Sequence, residues 1–199
     1  ETFELFAGKG ETDDASIIWM PEHRYCFCGD FFIWNAPNAG NPQKVQRYPE
    51  EWVVAARKIL SLKPLIVFPG HGPPIIGEAR VQEAFKNQAL LLEGICRYTM
   101  KGINSGKSLQ NIMMKVPIPK ELISKPYLRP NYDDPRWFVA TLWRRYCGWN
   151  TFDVRHLLPV SAGDVGTELA KLVGGADQLA KFALKVMQEG KLGIALELA

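Results

Sequence analysis

Hydrophobic and polar residues first alternate along the chain with the period of a strand. Residues 2–6 (TFELF), 16–20 (SIIWM) and 24–28 (RYCFC) each predict a strand. Pro21, Glu22 and His23 separate the last two and predict a β-hairpin. From Gly29 the pattern breaks. The Pro, Gly and Asn content of GDFFIWNAPNAGNPQ predicts a long loop, and long loops in compact domains are commonly functional. The period then changes to that of a helix over residues 49–61, with Pro49 and two acids in the first turn. PLIVFPGHGPP predicts a short strand running into a Gly-Pro loop. Strand, helix, strand is the order of an α/β layer.

After residue 77 only the helical period remains. Residues 78–101 place Val81, Phe85, Leu92 and Ile95 on one stripe. A short helix follows Ser108, which has the chemistry of an N-cap, and a Pro-rich connector follows that. Further helices are expected over residues 136–146, 161–173, 175–189 and from about 190 onward, with Gly174 and Gly175 separating two of them. The expected organisation is therefore an α/β part over 1–77 and an all-helical part over 78–199. The chain opens without Met on a strand pattern and stops inside a helical one. That predicts a fragment at both ends.

Composition narrows the function classes. At 47% hydrophobic and 23% charged residues, the 199-residue chain is an ordinary globular sequence. A net charge of +3 and the lack of a basic block argue against a nucleic-acid partner. No apolar run is long enough to span a membrane. Four scattered cysteines do not make a disulfide framework, and Cys26-x-Cys28 has no second pair at zinc spacing. They are expected to be buried thiols. The compartment is left open.

Three loops combine glycine with a metal-ligand type: GKGETDD with Glu11, CGDFFIW with Asp30 and FPGHGPP with His71. Glycine permits the tight turns that aim a short side chain, and carboxylates and imidazole are zinc donors. From residues alone, two readings stand: solvated turns, or a shared metal centre that brings the three within about 8 Å of each other, as ligands of a metal pair must be.

The order Gly-Glu-Thr-x-Asp, strand, Pro-Glu turn, strand, Gly-Asp, long loop, helix, strand, Pro-Gly-His-Gly resembles the second half of a metallo-β-lactamase-fold hydrolase. Glu11, where many members carry His, is similar to the alkyl sulfatase branch. YLRPNYDDPRWFVATLWRRYCGW and GGADQLAKFALKVMQEGKLGIALEL resemble the dimerisation domain of that branch. The resemblance implies the C-terminal half of an αββα sandwich over residues 1–77. A helical dimerisation domain, incomplete at its C-terminus, would fill 78–199. It implies two zinc ions, with Glu11 on the first, Asp30 bridging and His71 on the second. A metal-bound hydroxide would attack an alkyl sulfate or related ester. Asp13 and Asp14 are then expected to orient the ligands from behind, with a solvated turn as the alternative. Lys44 and Arg47 are candidates to grip the sulfate. Trp34, with Trp19, Phe31 and Phe32, is a candidate to line an alkyl channel.

The sequence departs from the family where His-x-His-x-Asp-His should stand, because that motif is absent. The chain alone is therefore expected to be inactive, with the missing N-terminal half of the same protein as its complement. The alternative is a non-catalytic dimerisation or assembly module. Either way a homodimer is expected. Trp137, Phe138, Leu142, Trp143, Tyr146 and Trp149 are the proposed contact residues.

Overall fold

The computed structural model describes residues 1–199. A five-stranded sheet is formed by β1 (Glu4–Gly8), β2 (Ala15–Met20), β3 (Tyr25–Ile33), β4 (Ile66–His71) and β5 (Ile75–Ile76) in that spatial order. Neighbours are antiparallel except β3 and β4, which run parallel and are joined by the crossover helix α1 (Pro49–Leu62). No other strand pair needs a crossover, which is why the sequence has one strongly signalled helix among its strands. Pro49 opens α1 with Glu50 and Glu51 in its first turn, and Lys63 closes it in the left-handed conformation.

Side-chain alternation gives the sheet two unlike faces. Ile17, Trp19, Cys26, Cys28 and Val67 point into the core. Above them lie Trp52, Ala56 and Ile59 of α1, then Val81, Phe85, Leu92 and Ile95 of α2 (Glu78–Asn104), all fully buried. On the other face Leu5, Ile18, Phe27 and Phe68 form one row across four strands. The Phe27 and Phe68 rings stack at 4.7 Å, yet Leu5 is 69% exposed and Phe27 36%. This face has no covering layer.

Two expectations about the sheet change. β3 does not stop at Cys28 but continues to Ile33, so the long loop starts at Trp34. Gly29, at φ +51°, sits at a shift in the β3–β4 register. A glycine inside a strand pattern marked a bulge rather than a break. The two-residue β5 was not foreseen.

The chain divides into two compact units, Glu1–Phe152 and Asp153–Ala199. The expected division at 77/78 falls inside the first unit. The reason is α2, which is part of the sheet's core: Gln88 Nε2 donates to the Phe31 carbonyl at 2.7 Å, and the Phe85 ring lies 5.3 Å from that of Phe32. The first unit continues with α3 (Leu109–Lys115), capped by Ser108 as expected, the short α4 (Lys120–Ile123), and α5 (Trp137–Cys147). On and after α5, the aromatic group separates. Phe138, Leu142 and Trp143 are buried in this unit, whereas Trp137, Tyr146 and Trp149 keep substantial exposure. Only the latter three remain available for a contact with another chain.

The second unit begins with a 3-10 turn (Val154–His156) and contains α6 (Ala162–Val173), α7 (Ala176–Gln188) and α8 (Leu192–Glu197). Its helices are amphipathic but leave much apolar surface open, with Leu158, Leu172 and Leu196 each about four-fifths exposed or more. Ser161 caps α6: its Oγ accepts from the Asp164 amide at 3.0 Å and donates to the Asp164 carboxylate at 2.6 Å. Ser161→Ala should destabilise this unit by about 1 kcal/mol. Thermal unfolding followed by circular dichroism checks this, and an unchanged midpoint would refute it.

Candidate functional site

Glu11 is presented by the β1–β2 loop. Gly8 and Gly10 lie against the core there: a Cβ on Gly8 would come within 2.7 Å of Phe31, and one on Gly10 within 2.8 Å of Phe31 and 3.1 Å of Trp52. The glycines of GKGE thus let the loop lie flat on two core aromatics, and the Tyr48 amide fixes it by donating to the Gly10 carbonyl at 2.8 Å. Asp30 stands on the bulged part of β3, within the strand rather than after it. His71 closes β4 opposite Ile33.

The structure pairs two of the three. His71 Nδ1 and Asp30 Oδ1 are 2.7 Å apart. Asp30 also acts on Glu11. Burial pushes the Glu11 carboxyl above its usual value, the Arg47 guanidinium offsets part of that, and the Asp30 carboxylate pushes it up further, with His71 opposing. A half-buried carboxylate beside a second one is a site that gains from a cation.

No group of three or more His, Cys, Asp or Glu side chains is placed to hold a metal ion. Glu11 Oε1 is taken by Arg47 Nη2 at 3.0 Å and by Asn38 Nδ2 at 2.6 Å, and His71 Nδ1 is taken by Asp30. In type, two carboxylates and an imidazole suit zinc. In number they are at most part of a two-metal centre.

The other expected residues fare unevenly. Arg47 is only 3% exposed and spends its guanidinium on Glu11 and on the Asn38 and Val45 carbonyls, so it is not open to a substrate. Lys44 is exposed. Trp34 is 38% exposed, with Nε1 donating to the Pro73 carbonyl at 2.7 Å. It packs on Gly72, where a Cβ would come within 2.3 Å of its ring. Trp19, Phe31 and Phe32 are core residues and line no channel. Asp13 and Asp14 are exposed, and neither side chain makes a hydrogen bond or ion pair with Glu11, Asp30 or His71. Of the thiols, Cys26, Cys28 and Cys96 are buried and Cys147 partly so. Burial pushes Cys26 and Cys96 up to about 12, as expected of inert thiols.

Sequence reasoning missed Asn38, Asp133 and Thr141. The Asn38 side chain accepts from the Gly40 amide at 3.0 Å while its Nδ2 reaches Glu11. Asp133, buried in the Pro-rich connector, accepts from the same Gly40 amide at 3.0 Å. Asp133 read as connector and Asn38 as loop composition, and no short-range spacing joins positions 93 residues apart.

Comparison with known proteins bears on this geometry. Residues 108–199 match the family described as alkyl sulfatase dimerisation. The chain is 25% identical over 194 residues to a linear primary-alkylsulfatase of a Pseudomonas strain, covering 95% of this chain and 36% of that protein. It is 24% identical over 193 residues to the alkyl/aryl-sulfatase BDS1 of Saccharomyces cerevisiae, covering 95% and 30%. The chain thus spans about a third of the length of these relatives. In structure it is similar to the stereoselective inverting sec-alkylsulfatase Pisa1 from Pseudomonas sp., with a TM-score of 0.84 at 22% identity, covering 98% of this chain and 32% of that one. At that identity the likeness speaks for the fold.

Proposed function

With an alkyl sulfatase dimerisation domain at residues 108–199 and homology to alkylsulfatases across 95% of its length, we propose that this chain is part of a dinuclear zinc hydrolase cleaving alkyl sulfate esters. Its residues would form the C-terminal half of a metallo-β-lactamase-type sandwich followed by helices that associate into a homodimer. The observation that supports the reading is the 2.7 Å pairing of Asp30 on β3 with His71 at the end of β4, with the Glu11 carboxylate of the β1–β2 loop feeling the charge of both. The uncovered row Leu5–Ile18–Phe27–Phe68 supports the half-sandwich, because a second sheet packed face to face would bury it.

In this reading Glu11, Asp30 and His71 hold metal, and the remaining ligands come from outside these residues. Zinc, when bound, supplies Lewis acidity and activates water at neutral pH. The chain's own groups do the rest. Asp30 and His71 fix each other's orientation through their 2.7 Å contact. Lys44 offers a cation to the ester's anionic oxygens, and the exposed Trp34 ring offers apolar surface to the alkyl tail. Arg47 is withdrawn from substrate binding by its burial. The extra negative charge of Glu11, relative to a histidine, disfavours a dianion more than a monoanion.

The test is sulfate release from an alkyl sulfate by the full-length protein. Glu11→Gln should lower kcat/KM by more than about 10²-fold, beyond the 10–100-fold typical of losing a ligand's outer partner. The matched alkyl phosphate should be the poorer substrate, and Glu11→His should narrow the gap. Unchanged activity in Glu11→Gln would reject the reading. A second reading, a non-catalytic assembly module, is favoured by the lack of any three-donor group. It predicts a zinc-free dimer without sulfate release.

A further inference from the structure

Four segments converge behind one oxygen of Glu11. Arg47 Nη2 and Asn38 Nδ2 both donate to Oε1, at 3.0 and 2.6 Å. The Arg47 side chain is only 4% exposed. Its backbone is pinned by Thr141 of α5: the Arg47 amide donates to Thr141 Oγ1 at 3.1 Å, and that hydroxyl donates back to the Arg47 carbonyl at 3.3 Å. Asn38 is oriented through Gly40, whose amide is shared between Asn38 Oδ1 and the buried Asp133 carboxylate. Gly40 has φ +74°, and a Cβ there would come within 3.2 Å of Arg47 Nε. Only glycine allows that approach without strain.

We propose that Arg47 and Asn38 are positioning residues that hold Glu11 by one oxygen so that the other is presented to the metal. In the same proposal, Thr141 and Asp133 set that clamp from the region matching the dimerisation family. The proposal rests on the reading of Glu11 as a zinc ligand. It makes the helical region a structural part of the site rather than a detachable oligomerisation module. The physical reason is that a short carboxylate has two equivalent oxygens and free rotation. Two donors on one oxygen remove both degrees of freedom before any metal arrives, so less ordering entropy is lost on binding.

The experiment measures zinc affinity of the full-length protein by competition with a chromophoric chelator. Arg47→Met, Asn38→Ala and Thr141→Val should each weaken zinc binding, by about 10-fold or more for the first two, and Arg47→Lys should recover part of the loss. In Glu11→Ala, adding Arg47→Met should cost nothing further, because the clamp acts only through Glu11. Additive losses would overturn the proposal by marking Arg47 as a general packing residue. Parent-like affinity in Asn38→Ala and Thr141→Val would overturn it even if Arg47→Met fails to fold. If Glu11→Ala itself binds zinc like the parent, the ligand reading fails and the clamp falls with it. If only the clamp variants are silent, the ligand reading survives alone.

Discussion

Trp52→Ala is expected to lower the unfolding free energy by about 3–5 kcal/mol. Trp52 is fully buried on α1 and joins parts that are distant in sequence. Its ring meets Phe31 of β3 edge-on at 6.4 Å and Phe138 of α5 edge-on at 6.1 Å. Its Nε1 donates to the Phe31 carbonyl at 3.0 Å. That carbonyl also accepts from Gln88, so the substitution orphans no acceptor. The loss is that of a cavity and of aromatic contact. Against a typical stability of about 5–15 kcal/mol, this is a large fraction. Urea unfolding measures it, with Val54→Ala on the same helix as a control. Val54 is 67% exposed, and its replacement should stay within about 0.5 kcal/mol. A loss below about 1 kcal/mol in Trp52→Ala would mean that α1 does not tie the sheet to α5.

Gly70→Ala is expected to act on the site and hardly on the fold. The φ of Gly70 is not positive, so alanine is not excluded by the backbone. Space excludes it, because a Cβ would stand 2.1 Å from Asp30 Oδ1 and 3.0 Å from the Gly29 carbonyl carbon. The Asp30 carboxylate must swing away, which breaks its 2.7 Å contact with His71. Asp30 is partly exposed and can move without opening the core. A displacement of about 1 Å at a reacting centre costs on the order of 10²-fold in rate. The predicted result is a kcat/KM lower by about that factor with a thermal midpoint within a few degrees of the parent. An active Gly70→Ala protein would show that Asp30 needs neither this position nor this partner.

Local chemistry was legible in the sequence where one residue type has one physical reason to stand in place. The α1 start at Pro49, the Ser108 cap and the stripe Val81, Phe85, Leu92, Ile95 all follow from short-range rules. Of the candidate donors, the structure pairs Asp30 with His71, and the glycine beside each is a local feature of the sequence. Gly29 was ambiguous, since a glycine breaks a strand or bulges it depending on a partner strand that a single sequence does not show. Arg47 was misread for a similar reason. A cation in a polar loop looks solvated until Glu11, 36 residues earlier, is folded over it. That no boundary falls at 77/78 depends on Phe85 and Gln88 reaching β3, which is tertiary packing.

The central claim is that Glu11, Asp30 and His71 hold metal together. Anomalous diffraction at the zinc edge from crystals of the full-length protein tests it most directly. The account predicts zinc peaks with a carboxylate oxygen of Glu11, the Asp30 carboxylate and an imidazole nitrogen of His71 at about 2.0–2.2 Å. Zinc bound elsewhere, or Glu11 held by Arg47 and Asn38 through Oε1 with no peak beside its other oxygen, would contradict it.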